Sequence, residues 1–177
     1  MLGKCLILLG SLLCLLVLVP EGNAVDFEQT RQTLSNIPGF MVVIEELQPC
    51  LLNYKPYLQK FGLNKDQLQN DVEKQLKAAG IKILSSSEWQ KTRGNPILYI
   101  NINTHEKERF SFAYDVRVEI QQVVAPEANP KTRIMATTWS INITGMADIG
   151  TLTLIKKDLA AMVDRFIQAY QAVNGRI

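Results

Sequence analysis

The sequence predicts an α/β fold, a two-layer sandwich in which helices cover one face of a mixed sheet of about five strands. A capped amphipathic helix lies between two short apolar runs, which is the pattern of a β-α-β unit. Three runs with period-two alternation follow, and a second long apolar stripe closes the chain. The predicted element order is therefore β-α-β-β-β-β-α.

The start of the chain, residues 1–24, has the pattern of a cleavable signal peptide. Lys4 precedes the apolar run 6–19, and small residues stand before the expected cleavage point at Ala24. The run is shorter than the roughly 20 residues that a membrane-spanning helix needs, so we expect cleavage rather than a permanent anchor. The sequence thus predicts an exported protein, periplasmic or extracellular. Residues 25–177 should form a single α/β domain with no stable membrane anchor.

The first half of this domain contains the predicted β-α-β unit. Residues 40–47 are rich in β-branched and apolar side chains, so we expect a strand that is covered on both faces. Asn64 is suited to cap a helix with apolar residues at helical spacing, and Gly80 is suited to end it. Residues 81–84 should resume as a strand parallel to the first. Two stretches stay open between helix and irregular chain: 25–34 and 51–61.

The second half predicts an antiparallel meander followed by a helix. Strands are expected at residues 97–103, 110–124 and 132–144. The charged stretch His105–Arg109 is expected to form the first turn. The middle strand alternates between apolar and polar side chains, which indicates that one face of the sheet meets water. A broad apolar stripe predicts the closing helix at about residues 151–173.

The charge balance of the chain disfavours two classes of partner. The formal net charge is +2, and removal of the signal peptide leaves it unchanged because one Lys and one Glu are lost. Nucleic-acid-binding domains carry a basic stripe or patch, which these interspersed charges do not form. We therefore expect neither a nucleic acid nor an anionic membrane surface as a partner.

The sequence lacks the residue sets of the common catalytic and metal sites. Only Cys50 among the cysteines follows the signal peptide, and His105 is the single histidine. Structural zinc needs about four ligands, usually Cys and His. A Ser-His-Asp or Cys-His arrangement would have to use His105, which lies in the most charged stretch of the chain. Since phosphate-binding and nucleophile-elbow motifs are also missing, we predict no catalytic residue, no metal site and no cofactor.

Cys50 has no partner for an intramolecular disulfide once the signal peptide is removed. A lone cysteine in an exported protein is either buried as a small apolar residue or paired with a second chain. The apolar neighbours Leu51 and Leu52 favour burial. Both alternatives stay open at this point.

Four residues are candidates for contact with a partner. Trp89 is expected in a short helical turn after the second strand, and loop aromatic residues are frequent interface anchors. Asp115, Arg117 and Glu119 alternate along the long middle strand, so they share the face that we expect to meet water. The sheet edges also offer backbone hydrogen bonds to an added strand.

Several segments span most of the domain and carry a resemblance: Gly62–Ile81, Leu98–Asn103, Thr138–Ser140 and Val163–Asn174. Together they resemble a family of uncharacterised exported bacterial proteins of about this size, which implies no catalytic residues. The element order is also similar to small α/β domains of cell-envelope assembly proteins. Examples are the curli-secretion lipoprotein and the N-terminal domain of the Tol-system propeller protein, and this similarity implies protein–protein contacts.

These observations favour a non-enzymatic binding or accessory protein of the bacterial cell envelope, with an envelope protein as its partner. One alternative is a carboxylate-based hydrolase that uses Glu45, Glu46, Asp115 and Glu119. Adjacent glutamates on a strand should point to opposite faces, which argues against a site containing both. Another alternative is a small carrier that holds an apolar ligand between the sheet and the terminal helix.

Overall fold

Four strands form a mixed sheet in the order β1-β2-β3-β4. It is seen in a computed structural model that describes residues 26–175, so the predicted signal peptide and its cleavage point lie outside the described residues. β1 runs parallel to β2, whereas β2–β3 and β3–β4 are antiparallel. The strands are β1 Met41–Ile44, β2 Ile97–Glu108, β3 Ser111–Val124 and β4 Ile134–Asp148.

Six α-helices and one 3-10 turn accompany the sheet within residues 26–175. The helices are α1 Glu28–Arg31, α2 Pro49–Leu52, α3 Lys55–Phe61, α4 Lys65–Ala78, α5 Ser86–Lys91 and α6 Thr153–Asn174, and the 3-10 turn is Gln32–Leu34. The two long helices, α4 and α6, contact each other; α4 also packs on β1, and α6 packs on β3 and β4. The predicted α/β class and mixed sheet are confirmed.

Period-two alternation separates an inner face of the sheet from an open face. The inner face of β2 and β3 is fully buried beneath the helices and consists of Leu98, Ile100, Ile102, Phe112, Tyr114, Val116, Val118 and Ile120. The residues between them are half-buried or exposed. Because successive side chains of a strand point to opposite faces, the helices lie on one face and the polar side chains on the other.

Helix α4 begins and ends where the sequence predicts. The Asn64 side chain accepts a hydrogen bond from the Gln67 N–H at 2.9 Å, which satisfies one of the free donors of the first turn. Leu68, Val72 and Leu76 form its buried stripe. The helix stops before Gly80, whose φ of +78° is in the left-handed region that glycine adopts without steric cost.

The prediction of a fifth strand at residues 81–84 is wrong. Only Ile83 forms a β-bridge, parallel to Phe40 at the outer side of β1. The run cannot extend because Ser85 already caps α5: its hydroxyl accepts from the Glu88 N–H, and the Glu88 carboxylate accepts from the Ser85 N–H. β1 is also shorter than predicted, and only one of its faces is buried because the helices cover one side of the sheet.

The first turn of the meander is shorter than predicted. β2 continues through the charged stretch to Glu108, so His105 lies within a strand, paired with Ala113, and not at a hairpin tip. Two residues outside the strands connect β2 to β3, and the second, Phe110, has a φ of +70°. Cross-strand pairing therefore overrides the loop preference of a highly charged segment.

Aromatic side chains fill the space between the sheet and α6. The ring of Phe166 lies 5.3 Å from Phe40 and 5.5 Å from Trp139, measured between centroids. The Tyr170 ring is 5.6 Å from Phe40, and its buried hydroxyl donates to the Ile37 carbonyl at 2.7 Å. These rings occupy the position in which the carrier hypothesis places an apolar ligand.

The segment before β1 is tied to the sheet through Asp26. Its Oδ1 accepts a hydrogen bond from the Trp139 indole Nε1 at 2.9 Å and from Arg31 Nε at 2.6 Å. Trp139 is fully buried in β4. The guanidinium holds the pKa of Asp26 below its ordinary value, and the indole N–H acts in the same direction against the effect of burial.

Candidate binding face

The open face of the sheet is a three-by-three grid of cross-strand neighbours. Residues of β2, β3 and β4 stand opposite one another in three rows: Tyr99–Glu119–Ser140, Asn101–Arg117–Asn142 and Asn103–Asp115–Thr144. Directly opposite side chains lie about 4.5–5.5 Å apart at their Cβ atoms, so each row is a line of contacts. We call these nine residues, together with the adjacent Glu45, the open face.

Arg117 lies between two carboxylates at the centre of the open face. Its Nε is 3.9 Å from Asp115 Oδ1, and its Nη1 is 3.8 Å from Glu119 Oε1. Both separations are too long for hydrogen bonds. The Arg117 side chain is 49% exposed, and its guanidinium carries five N–H donors that a bound molecule can contact.

The two carboxylates are held by neutral donors. Asp115 Oδ2 accepts from the Asn142 amide at 3.1 Å, while its Oδ1 is shielded from solvent and has no hydrogen-bond partner among the described residues. Glu119 Oε2 accepts from the Thr137 hydroxyl at 3.1 Å and from the Gln121 amide at 3.2 Å. Their positions are thus fixed without a direct hydrogen bond to Arg117.

A second cluster joins the end of β1 to β2. Glu45 accepts hydrogen bonds from the Tyr99 hydroxyl and from the Asn101 side-chain amide. Burial, together with the bond to Glu45 and the nearby charge of Glu119, raises the pKa of Tyr99 to about 12. The Tyr99 hydroxyl therefore remains a neutral donor throughout the physiological pH range.

The two adjacent glutamates, which follow the end of β1, have different partners. Glu45 belongs to the open face, whereas Glu46 forms an ion pair with Lys65 at 2.7 Å, at the start of α4. The open face therefore carries three carboxylates, those of Glu45, Asp115 and Glu119, and one guanidinium. Its chemistry favours cationic or hydrogen-bond-donating groups on a bound molecule.

One end of the open face is a shallow depression of about 330 Å³. Its lining includes Asn103, His105, Asp115 and Thr144. His105 is exposed there. Polar side chains surround the depression, but most of the surface that its lining exposes is apolar.

Comparisons of the chain with protein-family models, with curated proteins and with solved structures give no match. The resemblance to exported bacterial proteins and to envelope-assembly domains therefore stays a prediction. Function is inferred from the sequence and geometry of this chain alone.

Of the four predicted site residues, three lie together and one lies apart. Asp115, Arg117 and Glu119 share the open face. Trp89 is in α5, half-buried, with its indole N–H shielded from solvent and without a hydrogen-bond partner in the described chain. No described contact joins Trp89 to the other three. Sequence reasoning named Glu45 only for the alternative hydrolase site. It missed the contribution of Tyr99 and Asn101, although the alternation along β2 puts both on one face.

Cys50 and His105 lie on opposite sides of β2 and do not form a Cys–His pair. The Cys50 thiol is half-buried beside Thr104, 3.4 Å from its carbonyl oxygen and 3.3 Å from its hydroxyl. Since Thr104 and His105 are consecutive on a strand, their side chains point to opposite faces. The Cys50 thiol therefore lies beside the hydrogen-bonding groups of Thr104 and away from the His105 imidazole.

The described part of the chain lacks two further classes of feature. Within residues 26–175, no group of three or more His, Cys, Asp or Glu side chains is arranged to hold a metal ion. Over the same residues, no helix has both the length and the apolar character needed to cross a membrane.

Proposed function

We propose that this chain is an exported, non-enzymatic binding or accessory protein of the bacterial cell envelope. We further propose that the open face binds a protein partner by contacting cationic side chains of that partner. The observation that carries the proposal is that Asp115 and Glu119 flank the half-exposed side chain of Arg117 on the open face, where Glu45 adds a third carboxylate. The leader-like pattern of residues 1–24 supports export.

A preformed polar surface of this kind suits recognition of a folded partner. The hydrogen bonds from Asn142, Thr137 and Tyr99 fix the carboxylates before binding. Little side-chain freedom is then lost when a cationic group docks, so preorganisation lowers the entropic cost of association. The excess of carboxylates also predicts faster association with a basic partner at low ionic strength.

Neighbouring residues provide a matched test of the proposal. Glu45→Gln and Glu46→Gln make the same chemical change at adjacent positions, but only the first alters the open face. We expect Glu45→Gln, combined with Glu119→Gln, to weaken capture of a partner from envelope extracts in a salt-dependent way. Glu46→Gln, combined with Asp66→Asn at an exposed position of α4, should leave capture unchanged. Circular dichroism of all variants checks that the fold is retained.

The result that overturns the proposal is equal capture by both double variants, or no specific capture by the natural chain. Export is tested separately by the mass and location of the product. A chain that begins at Val25 in the envelope fraction supports cleavage after Ala24, whereas an intact chain in the cell interior contradicts it.

A carboxylate-based hydrolase is the second candidate, because three of its four predicted residues do share one face. Glu45, Asp115 and Glu119 lie on the open face, and Glu46 is excluded from it by its pairing with Lys65. Turnover of a glycan or peptide by the natural chain, abolished by Ala at Asp115 or Glu119 but not at Glu46, would establish this alternative. Absence of turnover across the panel would end it.

A further inference from the structure

The outer edge of β4 has a short window of backbone groups without partners. The Ile149 N–H donates to the Phe110 carbonyl. This bond shows which opposite residue pairs of β3 and β4 are hydrogen-bonded to each other. Antiparallel pairs alternate between hydrogen-bonded and non-hydrogen-bonded. From Trp139 onwards, where the register is unbroken, odd-numbered residues of β4 therefore bond to β3, and even-numbered ones direct their N–H and C=O groups outward. Asn142, Thr144 and Met146 therefore present three N–H and three C=O groups to the edge.

On either side of Asn142, Thr144 and Met146, the edge of β4 is not available to a further strand. The Asp148 N–H donates to the Thr151 hydroxyl at 2.9 Å, and its carbonyl accepts from the Thr151 N–H at 2.8 Å. On the other side, Ser140 is only 8% exposed, and the Thr138 carbonyl accepts from the Thr33 hydroxyl at 3.3 Å. Between them, no described residue bonds to the six outward groups of the window.

The part of this edge around Thr144 also lacks the features that normally prevent strand pairing. Residues 134–147 contain no charged residue and no proline, and the only register shift of the β3–β4 ladder lies before Trp139. Natural sheets usually protect an edge by charged side chains, prolines or bulges. β1, at the opposite edge, is by contrast covered at Phe40 by the bridge to Ile83.

The side chains of residues 142–146 of β4 are complementary to those of the same segment in a second copy of the chain. An antiparallel pairing centred on Thr144 satisfies all six outward groups, because Asn142 then faces Met146 of the other copy and Thr144 faces its own equivalent. On the inner face, Ile143, 37% exposed, would lie opposite Gly145, over which the Tyr114 ring packs. Large side chains thus face small or polar ones, and no like charges meet.

From this geometry we propose that two copies of the chain associate through antiparallel pairing of β4 with β4, with the twofold axis at Thr144. The association makes one continuous eight-stranded sheet from two four-stranded ones. It uses backbone groups at the edge and does not depend on the function proposed for the open face.

Sedimentation velocity of the protein expressed from the full-length sequence tests the association. We expect a concentration-dependent dimer for the natural chain. Thr144→Lys should raise the dimer dissociation constant on the order of a hundredfold, because it places two like charges opposite each other at the axis. Met135→Lys adds the same charge on the same strand outside the window and should leave the dimer intact.

Cysteine cross-linking tests the register without relying on a destabilising change. In a Cys50→Ser background, Thr144→Cys places two thiols on residues whose Cα atoms lie about 5.5 Å apart, within disulfide range. Met146→Cys is the control: Met146 is 54% exposed, but its equivalent in the other copy lies four residues along the strand, about 14 Å away. Oxidation should cross-link the first variant much faster than the second.

Three outcomes would overturn the proposal. These are a monomer at every concentration tested, a dimer that Thr144→Lys does not weaken, and cross-linking of the Met146→Cys variant as fast as that of the Thr144→Cys variant. If Thr144→Lys fails to fold, the cross-linking pair decides alone. Failure here is distinguishable from failure of the proposed function, because Glu45→Gln should leave the dimer unchanged.

Discussion

The Asp26 contacts predict that a single carboxylate near the start of the described chain stabilises the whole fold. The Asp26 side chain is 11% exposed, and its Oδ1 is the acceptor for the fully buried indole N–H of Trp139. Asp26→Ala leaves that N–H without an acceptor, at a cost of about 1–3 kcal/mol. Loss of the partly exposed pair with Arg31 adds at most about 1 kcal/mol. We expect the free energy of unfolding to fall by about 1–4 kcal/mol.

A double-mutant cycle with Trp139→Phe separates the indole contribution from the ion pair. In the Trp139→Phe background there is no indole N–H to leave unsatisfied, so Asp26→Ala should cost only the Arg31 part, about 0–1 kcal/mol. Urea unfolding followed by circular dichroism measures all four variants. Equal costs of Asp26→Ala in both backgrounds, within about 0.3–0.5 kcal/mol, would refute the reasoning.

The same contact predicts a pH dependence whose sign is fixed. The pKa of Asp26 is lowered in the folded chain, chiefly by the hydrogen bond from Arg31, from an ordinary value of 3.8. A lowered carboxyl pKa contributes stability at neutral pH, and that contribution is lost as the pH falls below about 3.8 through the folded value. The stability difference between the natural chain and Asp26→Ala should therefore narrow in that window. A difference that stays constant down to acid unfolding would contradict the assignment.

Three further substitutions have expected costs that urea unfolding can measure. Gly39→Ala should lower the free energy of unfolding by about 1–3 kcal/mol and break the β-bridge between Phe40 and Ile83. The added Cβ would lie 2.5 Å from the Lys82 carbonyl oxygen, a backbone atom that cannot rotate away. Gly145→Ala should also destabilise the fold, because its Cβ would lie 2.5 Å from the Tyr114 hydroxyl oxygen. In a Tyr114→Ala background, most of this loss of unfolding free energy should disappear. A loss of the same size in both backgrounds would refute the steric explanation. Tyr114→Phe should lower the free energy of unfolding by about 0.5–1.5 kcal/mol, because it removes the 2.6 Å hydrogen bond from the Tyr114 hydroxyl to Asp158. The same change at the exposed Tyr57 is the control and should have no effect.

Features that depend on neighbouring residues in the chain could be predicted from the sequence. The N-cap of α4 at Asn64 and the glycine that ends it at Gly80 follow from local hydrogen bonding and backbone sterics. The alternation along β3 likewise places Asp115, Arg117 and Glu119 on one face, because the strand period is two. These predictions needed no knowledge of which elements contact each other.

Features that depend on pairing between distant segments could not be predicted. β2 continues through His105 to Glu108 because β3 provides a partner strand along its full length, which outweighs the loop preference of a charged run. Residues 81–84 have strand-like composition but pair only at Ile83. The link from Glu45 to Tyr99 also requires the β1–β2 register, which the sequence does not specify.

The two proposed contact surfaces of β4 follow from one geometric property of a strand. Its side chains point above and below the sheet, while its N–H and C=O groups point sideways within it. Asn142 and Thr144 can therefore contribute side chains to the open face and backbone groups to the edge at the same time. Pairing at the edge would place two open faces side by side in one sheet, with six carboxylates on a continuous surface. A partner with repeated basic groups would then bind the dimer through both faces, and the second contact would form at the high effective concentration that a fixed spacing provides.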